Sequence, residues 1–170
     1  MKVKFLLTIS CTIFNLEIGC AIDKYLAKFN ETHGTSFKSN PDYVGHGIGR
    51  SFHALPQIVM VKNKYGKDFV GTDKMKPGMT FTIEPVICSG STKSKTWKSD
   101  EWTITAKDGC INAQFEHTIR IRDTNNEPMN ANCLQGCEIL TLDEHEEYDQ
   151  KKLSTILNEN EEPESPSTDV

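Results

Sequence analysis

Between Asn15 and Asn30 the apolar residues Leu16, Ile18, Ile22, Tyr25, Leu26 and Phe29 recur at intervals that gather on one face of an α-helix. The stretch after it, with Gly34 and Pro41 among small polar residues, reads as a connection. Farther along, the period drops to two. In "KMKPGMTFTIEP" the pair Pro77-Gly78 predicts a type II turn, and the strand after it alternates Thr80 and Thr82 with Phe81 and Ile83. "EWTITAKDGCINAQFEHTIRIRD" predicts two strands joined in a hairpin at Asp108-Gly109. In the second of them Phe115, His117, Ile119 and Ile121 take one face, while Gln114, Glu116, Thr118 and Arg120 take the other.

In both strands the glutamate falls opposite the large apolar residues, which predicts an antiparallel sheet with a helix-covered back and a polar front. Glu84 lies between Ile83 and Pro85, and Glu116 between Phe115 and His117, so both carboxylates are expected in buried segments that need a compensating charge. "GHGIGRSFH" adds His46 and His53, seven apart, with three glycines around the first. Glycine in a strand marks a bend or a close approach of something else. One imidazole and two carboxylates suit a divalent zinc, cobalt, manganese or iron ion.

Composition divides the chain. From Asp143 to Val170 ten acidic residues face two lysines, so the tail carries −8 and the rest +3 of a net −5. The tail has too little apolar surface to offset the entropy of ordering and reads as disordered. No basic stripe interleaved with aromatics speaks for nucleic acid. Six cysteines without framework spacing read as thiols, and Cys133 and Cys137 lack the second ligand pair of a zinc site. "MKVKFLLTISCTIF" has the lysines and short apolar run of a secretory signal, but it is too short to span a bilayer and cleavage near Cys20 would cut the helix that follows. The cytoplasm is therefore the expected compartment. A mitochondrial or secretory destination is the alternative.

"GHGIGRSFH", "KPGMTFTIEP", "EWTITAKDGCINAQFEHT" and "GCEILT", in this order, resemble the blocks of type I methionine aminopeptidases. The resemblance implies the C-terminal half of a pita-bread fold, α+β, with a disordered acidic tail. It implies metal ligands at His46, Glu84 and Glu116, a substrate-binding and catalytic histidine at His53, and aromatic walls for a methionine side chain at Phe52 and Trp102. Glu84 would also relay a proton, and the family uses two divalent metal ions per site. The substrate would be a peptide or nascent protein, with no nucleic acid or membrane partner.

Where the chain departs from that pattern, the expectations change. The family's upstream half carries two aspartate ligands that have no counterpart here, leaving three ligands. Residues 1–14 are expected as an atypical segment in place of that half, 15–142 as a partial catalytic domain and 143–170 as the tail. The chain is then either an aminopeptidase represented without its upstream half or an inactive half-domain that works through a protein partner. In either case another chain segment is expected to complete the fold.

Overall fold

The computed structural model describes residues 15–62, 74–123, 125–126, 133–134 and 136–141. Expectations for the first fourteen residues and for the acidic tail lie outside the described residues. Helix α1 (Asn15–His33) forms where the apolar spacing predicts it. Its face of Ile18, Ile22 and Leu26 is buried, and it packs chiefly on strand β3 (Ala54–Val59) and on β1 (Lys38–Ser39). Burial of each such side chain stabilises the fold by about 1.5–3 kcal/mol.

The remaining strands are β2 (Val44–Gly47), β4 (Thr80–Ile83), β5 (Val86–Cys88), β6 (Ser94–Thr96), β7 (Ile104–Ala106), β8 (Asn112–Gln114), β9 (His117–Ile121), β10 (Cys133–Leu134) and β11 (Cys137–Ile139). A six-stranded sheet runs β10-β11-β9-β4-β2-β3, a three-stranded one β1-β5-β8, and β6 pairs with β7. Every pairing is antiparallel. The core lies between α1 and the six-stranded sheet, where Ile58, Met60, Met75, Phe81, Ile119, Ile121 and Ile139 form one buried cluster with Ile18, Ile22 and Leu26 of the helix. This is the helix-covered back that the alternation predicts.

One correction concerns the hairpin. Asp108-Gly109 does not join two paired strands: β7 pairs with β6, and β8 pairs with β5. The pairings Thr80↔Arg120, Val86↔Gln114 and Thr96↔Ile104 keep a single register, so residues 80–120 form one long antiparallel ribbon. Its apex is Trp97–Thr103, where Trp97 N–H donates to the Thr103 carbonyl and the Asp100 carboxylate accepts the Trp102 and Thr103 N–H groups. Asp108 instead bridges the two arms, accepting the Ser91 and Cys110 N–H groups at 2.7 and 3.1 Å. Those bonds hold its exposed carboxyl below the usual range of an aspartate, the Ser91 contact foremost. A turn dipeptide set on one arm has become a local link between arms.

A second correction concerns burial. Residues 111–116 are all exposed, Phe115 and Glu116 included, because nothing among the described residues covers that side of the ribbon. Conversely, Thr82 on the polar front is fully buried, since β2 lies against it.

Candidate functional site

The ribbon changes sheets halfway along. β4 and β9 end their pairing at Ile83↔His117, and β5 and β8 begin theirs at Val86↔Gln114. Between them Glu84-Pro85 and Phe115-Glu116 are unpaired, and the common register sets Glu84 opposite Glu116. Like charges directly opposite on neighbouring strands destabilise a sheet, so this joint favours a cation.

His46 arrives from β2. Two glycines let that strand come close enough. A Cβ on Gly45 would stand 2.2 Å from the Thr82 carbonyl oxygen, and one on Gly47 would stand 2.3 Å from that of Leu55. Pairing with β3 shifts register between His46 and Gly47, a bulge that re-aims the imidazole. The His46 Nδ1 lies 3.0 Å from the Gly47 carbonyl oxygen, which can only accept, so Nδ1 carries the proton. In the neutral ring, Nε2 then presents a lone pair. It faces Glu84 Oε1 at 3.5 Å, with both side chains largely buried at 13% and 16% exposure. Two acceptors pointed at each other across that distance suit a shared cation, and a backbone carbonyl on the other nitrogen is the kind of contact that orients an imidazole for such a role.

Glu84 is itself held. Thr82 Oγ1 donates to its Oε1 at 2.8 Å, and Gln114 Nε2 donates to its Oε2 at 3.3 Å. Thr82 Oγ1 also accepts the His46 backbone N–H at 3.1 Å. Neither Thr82 nor Gln114 stands out as a site residue in the sequence. The available signal was their position, two residues from a glutamate on the same strand face.

The link between β2 and β3 carries the other expected residues of this region. His53 packs edge-on to His46 with ring centroids 4.4 Å apart, and Phe52 lies 5.7 Å from His46 and 4.6 Å from His53. Phe52 and His53 are both exposed. Trp102 sits on the ribbon apex and is 85% exposed. Among the described residues no three His, Cys, Asp or Glu side chains converge closely enough to hold one metal ion. The structure thus brings together His46, Glu84, His53 and Phe52. Glu116 shares the register position opposite Glu84 without its side chain joining the pair.

No helix among the described residues is long and apolar enough to cross a membrane. Residues 15–123 match the model of metallopeptidase family M24. The chain is 41% identical over 126 residues to the methionine aminopeptidase of Escherichia coli strain K12, covering 74% of this chain and 39% of that protein. It is 40% identical over 131 residues to that of Buchnera aphidicola subsp. Baizongia pistaciae, covering 77% and 41%. Among solved structures, methionine aminopeptidase from Rickettsia prowazekii aligns with a TM-score of 0.61 at 35% identity, over 82% of this chain and 47% of that one. The Thermotoga maritima enzyme aligns with a TM-score of 0.63 at 30% identity and the same coverage. The fold is that of half a pita-bread domain, and the chain spans less than half the length of these relatives.

Proposed function

Because the chain belongs to metallopeptidase family M24, we propose that residues 15–142 are the metal- and substrate-binding half of an aminopeptidase that removes N-terminal methionine from nascent proteins and peptides. The observation that carries this reading is His46 Nε2 facing Glu84 Oε1 at 3.5 Å, at the joint where Glu84 and Glu116 share a register position. His46, Glu84 and Glu116 would hold a divalent cation, cobalt, manganese, zinc or iron; one imidazole and two carboxylates are donor types that suit such an ion, and His46 with Glu84 is the part already assembled. When bound, that ion supplies Lewis acidity toward a scissile carbonyl and lowers the pKa of water. His53, exposed beside His46, would hydrogen-bond the substrate peptide and the oxyanion that develops on it. Glu84 would move a proton to the departing amine through the oxygens that Thr82 and Gln114 hold in place. Phe52 and Trp102 would offer apolar walls to the unbranched methionine side chain. The cytoplasm, where nascent chains emerge, is the compartment that fits.

The test is release of methionine from a Met-Ala-Ser peptide with added Co²⁺ or Mn²⁺. It uses this chain alone and this chain co-produced with the upstream half of the E. coli relative. Turnover in the completed, folded pair that is lost on Glu116→Gln is the expected result. No turnover in that pair overturns the reading.

One observation favours a second reading. Phe52, Leu55, Trp102, Ile111 and Phe115 are all at least half exposed, more large apolar surface than a self-contained domain of this size usually leaves open. In that reading the chain is an inactive half-domain whose work is to bind a protein partner across this surface. Metal-dependent turnover by the 170-residue chain as a stable monomer would exclude it.

A further inference from the structure

We infer that Thr82 is a positioning residue that locks His46 to Glu84, so that the geometry of the cation site is set by one buried hydroxyl. The inference rests on the reading of His46 and Glu84 as cation ligands and goes beyond it to the group that holds them in place.

In the ladder between β2 and β4 only Gly47↔Phe81 is a regular pair, flanked by the Ile48 N–H bond to the Thr80 carbonyl. The next N–H along, that of His46, goes to a side chain, Thr82 Oγ1, at 3.1 Å. A hydroxyl has one proton. With its oxygen accepting from His46, the proton of Thr82 goes to Glu84 Oε1 at 2.8 Å, because a carboxylate can only accept. The relay therefore has one direction: His46 N–H to Thr82 Oγ, Thr82 O–H to Glu84 Oε1.

Its surroundings make the link stiff. Thr82 is fully buried, and a threonine on a strand has few χ1 rotamers open to it. β2 reaches Thr82 only because Gly45 has no side chain, as a Cβ there would overlap the Thr82 carbonyl. The same oxygen of Glu84 that Thr82 holds is the one facing His46 Nε2 at 3.5 Å. The hydroxyl thus fixes where the carboxylate points and, through the backbone of β2, where the imidazole begins. Gln114 touches the other carboxylate oxygen at 3.3 Å from an exposed position, so its hold is looser.

Thr82→Val keeps shape and burial while removing both bonds; Thr82→Ser keeps the hydroxyl. Calorimetric Mn²⁺ binding to the full chain should weaken about ten- to a hundredfold in Thr82→Val, the usual cost of losing a group that orients a ligand, and return to within about threefold of wild type in Thr82→Ser. Ile139→Val loosens the same sheet without touching either ligand and should leave the affinity unchanged. In the metal-free chain, hydrogen exchange of the His46 amide should speed up at least about tenfold in Thr82→Val alone, as an amide that loses its acceptor becomes available to water. If Thr82→Val does not fold, Thr82→Cys, with its weak donor, takes its place and should fall between the valine and serine variants. Equal Mn²⁺ affinity and equal His46 exchange in wild type and Thr82→Val would overturn the inference. Failure of the wild type to bind Mn²⁺ would instead strike the ligand reading, and His46 exchange alone would then decide the role of Thr82.

Discussion

The two ends of the ribbon at residues 80–120 share a register and little else. At its base, Phe81 and Ile119 stand opposite one another, almost wholly buried in the six-stranded sheet beneath α1. At its apex, residues 95–102 are exposed without exception, and the turn is kept by Asp100 rather than by packing. Backbone pairing is the same at both ends, so pairing does not account for how differently they contribute to stability. What separates them is the apolar area removed from water. The candidate site lies between, at the point where the ribbon leaves the core, and it borrows rigidity from the base through Thr82 and His46.

The sharpest way to break this contrast is at the base. Phe81→Ala should destabilise the fold by about 3–5 kcal/mol, read as a lower urea midpoint. A smaller loss would mean that the base is no better packed than the apex. Gly45→Ala drives a methyl into the Thr82 carbonyl and should cost about 1–3 kcal/mol as β2 shifts off β4; calorimetry should show Mn²⁺ affinity falling with it. An intermediate case is the Arg120–Glu138 pair at 2.7 Å, whose partners are 30% and 17% exposed. Glu138→Gln should cost about 1 kcal/mol or less, and less again in high salt.

Toward the apex the effects turn from packing to charge. Asp108, held below the usual aspartate range by the Ser91 and Cys110 N–H groups, favours the folded form only while ionised. Its contribution is present above the unfolded pKa of about 3.9 and is lost as pH falls through the lower folded value. Thermal melts should therefore show Asp108→Asn below wild type at pH 7, with the gap closing only under pH 4. A gap that stays constant from pH 7 to pH 2 would remove the carboxylate from the account. Smallest of all, Trp102→Ala should change the stability of the isolated chain by no more than about 0.5 kcal/mol, since its ring is exposed.

How much of this was legible in the sequence follows the same gradient. The helix face of Ile18, Ile22 and Leu26 and the alternation through Thr80–Ile83 were readable because burial imposes a period on residues that face a core. The same alternation gives Glu84 and Glu116 a common parity, and the structure gives them a common register position. The apex was not, because no Gly or Pro marks it: Glu101 takes the positive φ of 54° and Asp100 supplies the bonds from its side chain. Asp108-Gly109 looked like the turn since local chemistry there is strong, yet the pairing of whole strands outweighed it. The exposure of Glu116 was hidden for a different reason. Burial depends on what covers a strand, and that information is not carried by the strand itself. Thr82 is a threonine among threonines until the approach of Gly45 gives its hydroxyl two partners.

The single register of the ribbon also limits which length changes the chain can absorb. Successive side chains alternate between the faces of a strand, so one residue added to one arm between Ile83 and the apex leaves Glu84 in place and displaces everything beyond it. One residue added between Thr80 and Ile83 is worse: it turns Glu84 to the helix-covered side while Glu116 stays on the front. Matched additions to both arms, or additions at the apex, disturb neither. The stretch Trp97–Thr103 is thus where added length leaves the register intact, at the cost of moving Trp102. The four residues before Glu84 are where it has to keep count.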